Sequence, residues 1–196
     1  MRKMLAHKIM AVLDEMPEVQ RCTLYGSLAN GTYDPLSDID IEVDVSGYDD
    51  GLFMLSLTER LGDEMSIYYI DYAPSLAPEK YIVSVAVDED DPFCMLDLCC
   101  TAEPHCTTVT RQQLRDKNDE FSHVLKLWTA NLKHYVRGAD CRYDIVRMAS
   151  RIGIVDAQTT NAALLLEETL NWLELNAPER LLAFVHSCRR KYSELI

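Results

Sequence analysis

Between Asp38 and Val45 acids alternate strictly with branched apolar residues: Asp38, Ile39, Asp40, Ile41, Glu42, Val43, Asp44, Val45. A repeat of two belongs to a strand, and it sends Asp38, Asp40, Glu42 and Asp44 to one face and Ile39, Ile41, Val43 and Val45 to the other. Like charges side by side on a strand repel and stabilise nothing by themselves. Close upstream stands a Gly-Ser turn, Gly26-Ser27, followed by Asn30-Gly31-Thr32-Tyr33-Asp34-Pro35, a loop dense in turn formers. Paired carboxylates beside a glycine turn are what a hard divalent cation with oxygen ligands calls for.

The surrounding pattern predicts two segments of different character. From Met1 to residue 108 helices and strands alternate. A first helix runs to Met16, a strand covers Cys22–Tyr25, and the acidic strand covers Asp38–Val45. A helix follows from Asp50 to Leu61, with Gly62 as its stop. Three more strands are expected at Ser66–Tyr72, Tyr81–Val87 and Cys94–Cys100, the last two joined by an acidic turn, Asp88–Pro92. From residue 109 the period becomes helical. Arg111–Val136 reads as one helix closed by Gly138, and further helices are expected at Arg142–Ile152, Asp156–Leu175 and Pro178–Leu195. The fold class is therefore α+β, a mixed-sheet domain over residues 1–108 followed by an α-helical bundle over 109–196.

Charge divides at the same place. Residues 1–108 carry 6 Lys+Arg against 21 Asp+Glu, a net of −15, whereas residues 109–196 carry 13 against 11. So acidic a front half repels a phosphate backbone, which argues against nucleic acid as a partner and suits metal ions and a cationic small substrate. No apolar run is long enough to span a bilayer, and the amino-terminal residues read as an amphipathic helix, not a signal peptide. The seven cysteines are odd in number and lack a CxxC pair, which predicts free thiols in a reducing cytoplasm. The five histidines fall singly, none paired at a metal-ligand spacing.

Gly26-Ser27, ten residues, then Asp38-Ile39-Asp40 resembles the signature of the DNA polymerase β-like nucleotidyltransferase superfamily. The glycine lets a phosphate approach the backbone, and the serine hydroxyl and nearby N–H groups can bond it. Asp38 and Asp40 would hold Mg²⁺. A third carboxylate from a neighbouring strand commonly serves as ligand or base. Asp97, in Met95-Leu96-Asp97-Leu98, and Asp71, in Ile70-Asp71-Tyr72, are the candidates. Asp97 is favoured because its segment is the more apolar, and Asp71 is expected to be a water-exposed acid at a strand edge. A hairpin with an acidic turn before the strand of the third aspartate is similar to the streptomycin-type aminoglycoside adenylyltransferases.

That resemblance extends to Asn118-Asp119-Glu120-Phe121, Trp128, Lys133, Arg137-Gly138 and Arg142-Tyr143-Asp144-Ile145. It implies a helical-lobe cation near the triphosphate, Lys133 first and Arg137 second, with Glu120 as a possible acid of the acceptor pocket. Where the streptomycin enzymes carry an aromatic-rich segment, this chain has Phe121-Ser122-His123. The implied activity is transfer of a nucleoside monophosphate, AMP from ATP, to a hydroxyl of an aminoglycoside- or lincosamide-like molecule. Two alternatives are a protein side chain as acceptor, as in antitoxin nucleotidyltransferases, and a nucleotide-binding module without turnover.

Overall fold

The computed structural model describes residues 2–73, 80–88, 90–154 and 161–196. The chain forms two compact units: Met1–Asp88 with Cys94–Asp119, and Glu89–Phe93 with Glu120–Ile196.

The first unit is built on a sheet whose described strands run β1 (Arg21–Tyr25), β2 (Ile39–Asp44), β5 (Met95–Thr101), β4 (Lys80–Ala86), β3 (Tyr69–Ala73) from edge to edge. The neighbours are antiparallel except β2 and β5, which are parallel. The alternation in β2 is realised as expected: Ile39, Ile41 and Val43 are fully buried, while Asp40, Glu42 and Asp44 are only half-buried. Removing each such branched side chain from water stabilises the fold by about 1.5–3 kcal/mol. The apolar face is covered by α1 (Arg2–Asp14), through Ala6, Ile9 and Leu13, and by α3 (Asp50–Glu64), through Phe53, Met54, Leu57 and Leu61. Their spacing of three and four residues gives each helix one buried stripe.

Two expectations about this unit fail for physical reasons. Gly62 does not end α3. Its φ is not positive, and the helix passes through it to Glu64, where extended Met65 donates its N–H to the Leu61 carbonyl. The expected helix Arg111–Val136 is broken into α4 (Arg111–Arg115) and α5 (Glu120–Val136). Thr110 starts α4 with a reciprocal capping box to Gln113. The break then frees Asn118, whose amide accepts from the Tyr72 N–H at 2.7 Å and donates to the Tyr72 carbonyl at 2.9 Å. A side chain thus occupies part of the open edge of β3, a paired contact that uninterrupted helix would forgo. α4 belongs to the first unit, where it packs on α3 and β3.

The second unit holds α5, α6 (Arg142–Arg151), α7 (Ala162–Asn176) and α8 (Glu179–Leu195). Gly138, in the left-handed region at φ 72°, turns the chain after α5, and Pro178 stands just ahead of α8. Asn161 caps α7, so that helix begins later than expected from Asp156, which lies outside the described residues, as does Glu89 of the acidic turn. Trp128, Leu132, Leu166, Leu170, Leu181 and Phe184 form the interior, and the Trp128 indole donates to the Leu166 carbonyl at 2.9 Å. Among the described residues no helix is long and apolar enough to cross a membrane. None of the seven cysteines is in a disulfide.

Candidate active site

Sheet register turns the acidic strand into a site. Residues paired across strands share a face, and one such row runs Tyr25, Asp40, Asp97, Ser84, Asp71 across β1, β2, β5, β4 and β3. Asp40 and Asp97 are direct partners on the two parallel strands, both half-buried. Asp97 is held from the other side: the Ser84 hydroxyl donates to its Oδ1 at 2.5 Å. Asp71 ends the row, two strands from Asp97. It is 1% exposed, so it is not the water-exposed edge acid expected from the sequence. The cover of Asn118 over β3 came from residues far along the chain.

Gly26 follows β1 directly, at φ 66°, where glycine alone is unstrained. A Cβ at this position would collide with the Asp40 carboxylate. The Gly-Ser turn and the Asp-x-Asp strand are therefore in contact through Gly26 and Asp40. Ser27 lies in the short helix α2 (Gly26–Asn30), and its carbonyl accepts from the N–H groups of Gly31 and Thr32, closing the turn.

Asp38 sits just ahead of β2. The turn that delivers it, Asp34–Ser37, is tied by Asp34 Oδ1 to the Leu36 N–H and the Ser37 hydroxyl. Arg2 of α1 clamps the same turn from outside, donating to the carbonyls of Ser37 and Pro35. Glu42 and Asp44, farther along the face, have cationic neighbours: Lys80 Nζ stands 3.6 Å from Glu42, and Arg21 stands 3.9 Å from Asp44.

Electrostatics agree with an acidic face. Burial, with Cys99, Asp40 and Asp97 nearby, raises the Tyr25 phenol above its usual range. The Ser46 hydroxyl and N–H hold Asp44 below the usual carboxylate value. Among the described residues no three His, Cys, Asp or Glu side chains converge as a ready metal cage. The donor set still fits a hard cation. Two carboxylates are paired in register, and the absence of a side chain at Gly26 makes room for the Asp40 carboxylate.

Lys133 and Arg137 lie on and just after α5 of the second unit, Lys133 buried at 4% and Arg137 exposed. Glu120 is exposed in the first turn of α5. Sequence reading passed over Ser84, although a lone serine inside Tyr81-Ile82-Val83-Ser84-Val85-Ala86 was a visible signal. It also missed Asp50, fully buried, whose Oδ2 lies 2.8 Å from His105 Nδ1. Burial raises the Asp50 carboxyl, against the opposing pull of His105.

Residues 7–79 match the family model described as Polymerase beta, Nucleotidyltransferase. Over that segment the chain is similar to the polymerase-β nucleotidyltransferases. The matched segment holds Gly26, Ser27, Asp38, Asp40 and Asp71, and ends before Asp97. No curated protein matches the chain. Among solved structures it is similar to the polymerase core of TRAMP, an RNA surveillance complex, at 13% identity and a TM-score of 0.44, covering 89% of this chain and 58% of that one. It is also similar to the GLD-2/RNP-8 complex, at 15% identity and a TM-score of 0.38, covering 100% of this chain and 61% of that one. The noncanonical poly(A) polymerase complex GLD-2–GLD-3 matches at 18% identity and a TM-score of 0.38, over 100% of this chain and 59% of that one. The chain thus spans about three fifths of the length of these structures.

Proposed function

We propose that the protein transfers AMP from ATP to a hydroxyl of a small cationic molecule of the aminoglycoside or lincosamide kind. The observation that carries this reading is the in-register pair Asp40–Asp97 with Gly26 packed against Asp40. The acceptor oxygen attacks the α-phosphorus, the α–β phosphoanhydride bond breaks, and pyrophosphate leaves. Asp97 takes the hydroxyl proton, or joins Asp38 and Asp40 as a ligand. Gly26 lets the β- and γ-phosphates come close to the backbone, and Ser27 donates its hydroxyl to them. A bound Mg²⁺ would neutralise phosphate charge and orient the in-line displacement.

The net charge of −15 over residues 1–108 supports a cationic acceptor over a polyanionic one. The test is an acceptor screen with α-labelled ATP and Mg²⁺ that includes aminoglycosides, lincosamides and oligo(A). Label is expected on a cationic small molecule, and Asp40→Asn is expected to lower its transfer about 1,000-fold. Labelling of oligo(A) alone would overturn the acceptor class. An Asp40→Asn enzyme as active as the parent would overturn the two-carboxylate chemistry.

A further inference from the structure

We propose that Ser84 is a positioning residue for Asp97, one that sets which carboxylate oxygen is presented toward Asp40. The inference rests on the nucleotidyltransferase reading above and adds a residue to it. Ser84 is 2% exposed at the centre of β4, where Tyr81, Val83, Val85 and Ala86 are all buried and apolar. A hydroxyl in such a place is unfavourable without a partner. Its single proton has carboxylates on both flanks, since Asp97 on β5 and Asp71 on β3 are both its cross-strand partners. The proton goes to Asp97 Oδ1, at a distance typical of a hydrogen bond to a charged acceptor.

The direction of that bond matters. β4 and β2 flank β5 on opposite sides. Ser84 therefore turns Oδ1 of Asp97 toward β4, away from Asp40. The rotation of the carboxylate is fixed before any substrate arrives, and its other oxygen is left for the chemistry shared with Asp40. Without the hydroxyl, Asp97 turns freely about its side-chain torsions, and the pair loses its preset geometry.

The test is a Mn²⁺ titration of the full chain followed by electron paramagnetic resonance, with far-UV circular dichroism as a check of folding. Ser84→Ala is expected to weaken Mn²⁺ binding roughly 10-fold to 100-fold, the usual effect of losing an outer partner of a ligand. Ser84→Thr keeps the hydroxyl and is expected to restore binding, which a purely structural serine would not predict. Should Ser84→Ala fail to fold, Ser84→Val against Ser84→Thr isolates the same hydroxyl at equal shape. Mn²⁺ binding by Ser84→Ala equal to the parent, with Asp40→Asn impaired, overturns the role of Ser84 alone. The same holds if the Thr variant binds no better than the Ala or Val variant. Binding by Asp40→Asn equal to the parent overturns the underlying metal reading, and the role of Ser84 with it.

Discussion

The two units satisfy their buried polar groups by different routes. In the first, partners come from distant parts of the sequence: Ser84 bonds Asp97, and Asn118 bonds the backbone of Tyr72 across 46 residues. In the second, the two buried threonines turn back on their own helix, Thr129 to the Lys126 carbonyl and Thr169 to the Leu165 carbonyl, and the bonds between helices run from aromatic side chains, Trp128 to Leu166 and Tyr192 to Ala163. A sheet can gather side chains from five strands into one row, whereas a helix can satisfy a small hydroxyl within one turn. Chemistry assembled from remote residues is thus concentrated in the sheet unit, while the helical unit is held by apolar packing.

The sharpest way to break that contrast is to empty the core of the helical unit. Trp128 is fully buried, donates to Leu166 and lies 6.3 Å from the Tyr192 ring. Trp128→Ala is expected to lower the unfolding free energy by about 3–5 kcal/mol in urea denaturation. Mn²⁺ affinity, measured well below the transition, is expected to stay at the parental value. Loss of Mn²⁺ binding by the folded variant would show that the helical unit shapes the site directly.

This division also explains what the sequence disclosed. The acidic strand and the Gly-Ser turn are local patterns, and both appear where the alternation and the turn residues placed them. The contact between Gly26 and Asp40 joins two parts of one short motif. The choice between Asp97 and Asp71 depends on register between strands that are remote in sequence, which no local pattern encodes. The break between α4 and α5 was invisible for the same reason. Leu114 and Phe121 continue a helical period across it, and the Asn118–Tyr72 bonds that favour the break come from β3. Gly62 misled in the opposite sense, as an exposed glycine that a helix simply tolerates at a cost of about 1 kcal/mol.

A smaller effect sharpens the contrast from the sheet side. Gly26→Ala places a Cβ against the Asp40 carboxylate on a backbone at φ 66°. Asp40 must rotate away or the turn must shift, so the variant is expected to lose about 1–3 kcal/mol of stability. Its transfer rate is expected to fall about 100-fold, since ångström-scale misplacement of a catalytic group has that effect. Activity within a factor of a few of the parent would mean that the contact is not part of the working geometry.

The smallest effect separates the units by pH. In the second unit Arg189 bonds both oxygens of Glu174, at 2.9 and 2.8 Å, and this holds the carboxyl below its ordinary value. A depressed carboxyl contributes stability that is present above the unfolded value of about 4.3 and is lost as pH falls through the folded one. Glu174→Gln should therefore be destabilised by about 1 kcal/mol at neutral pH, a deficit that closes as pH falls through the lowered folded value. In the first unit Asp50 has the opposite sign, because burial raises its carboxyl. The native state then holds the Asp50 proton more tightly than the unfolded chain does. Stability from this group is full below the unfolded value of about 3.9 and is lost as pH rises through the raised one. Relative to the parent, Asp50→Asn should gain stability as pH rises from about 3.9 through the raised folded value, whereas Glu174→Gln loses it as pH rises from the lowered folded value toward about 4.3. Urea titrations of both variants across those ranges decide the matter. Parallel slopes would mean that Asp50 is ionised at no penalty in its buried site, with the contact to His105 fully offsetting the loss of water.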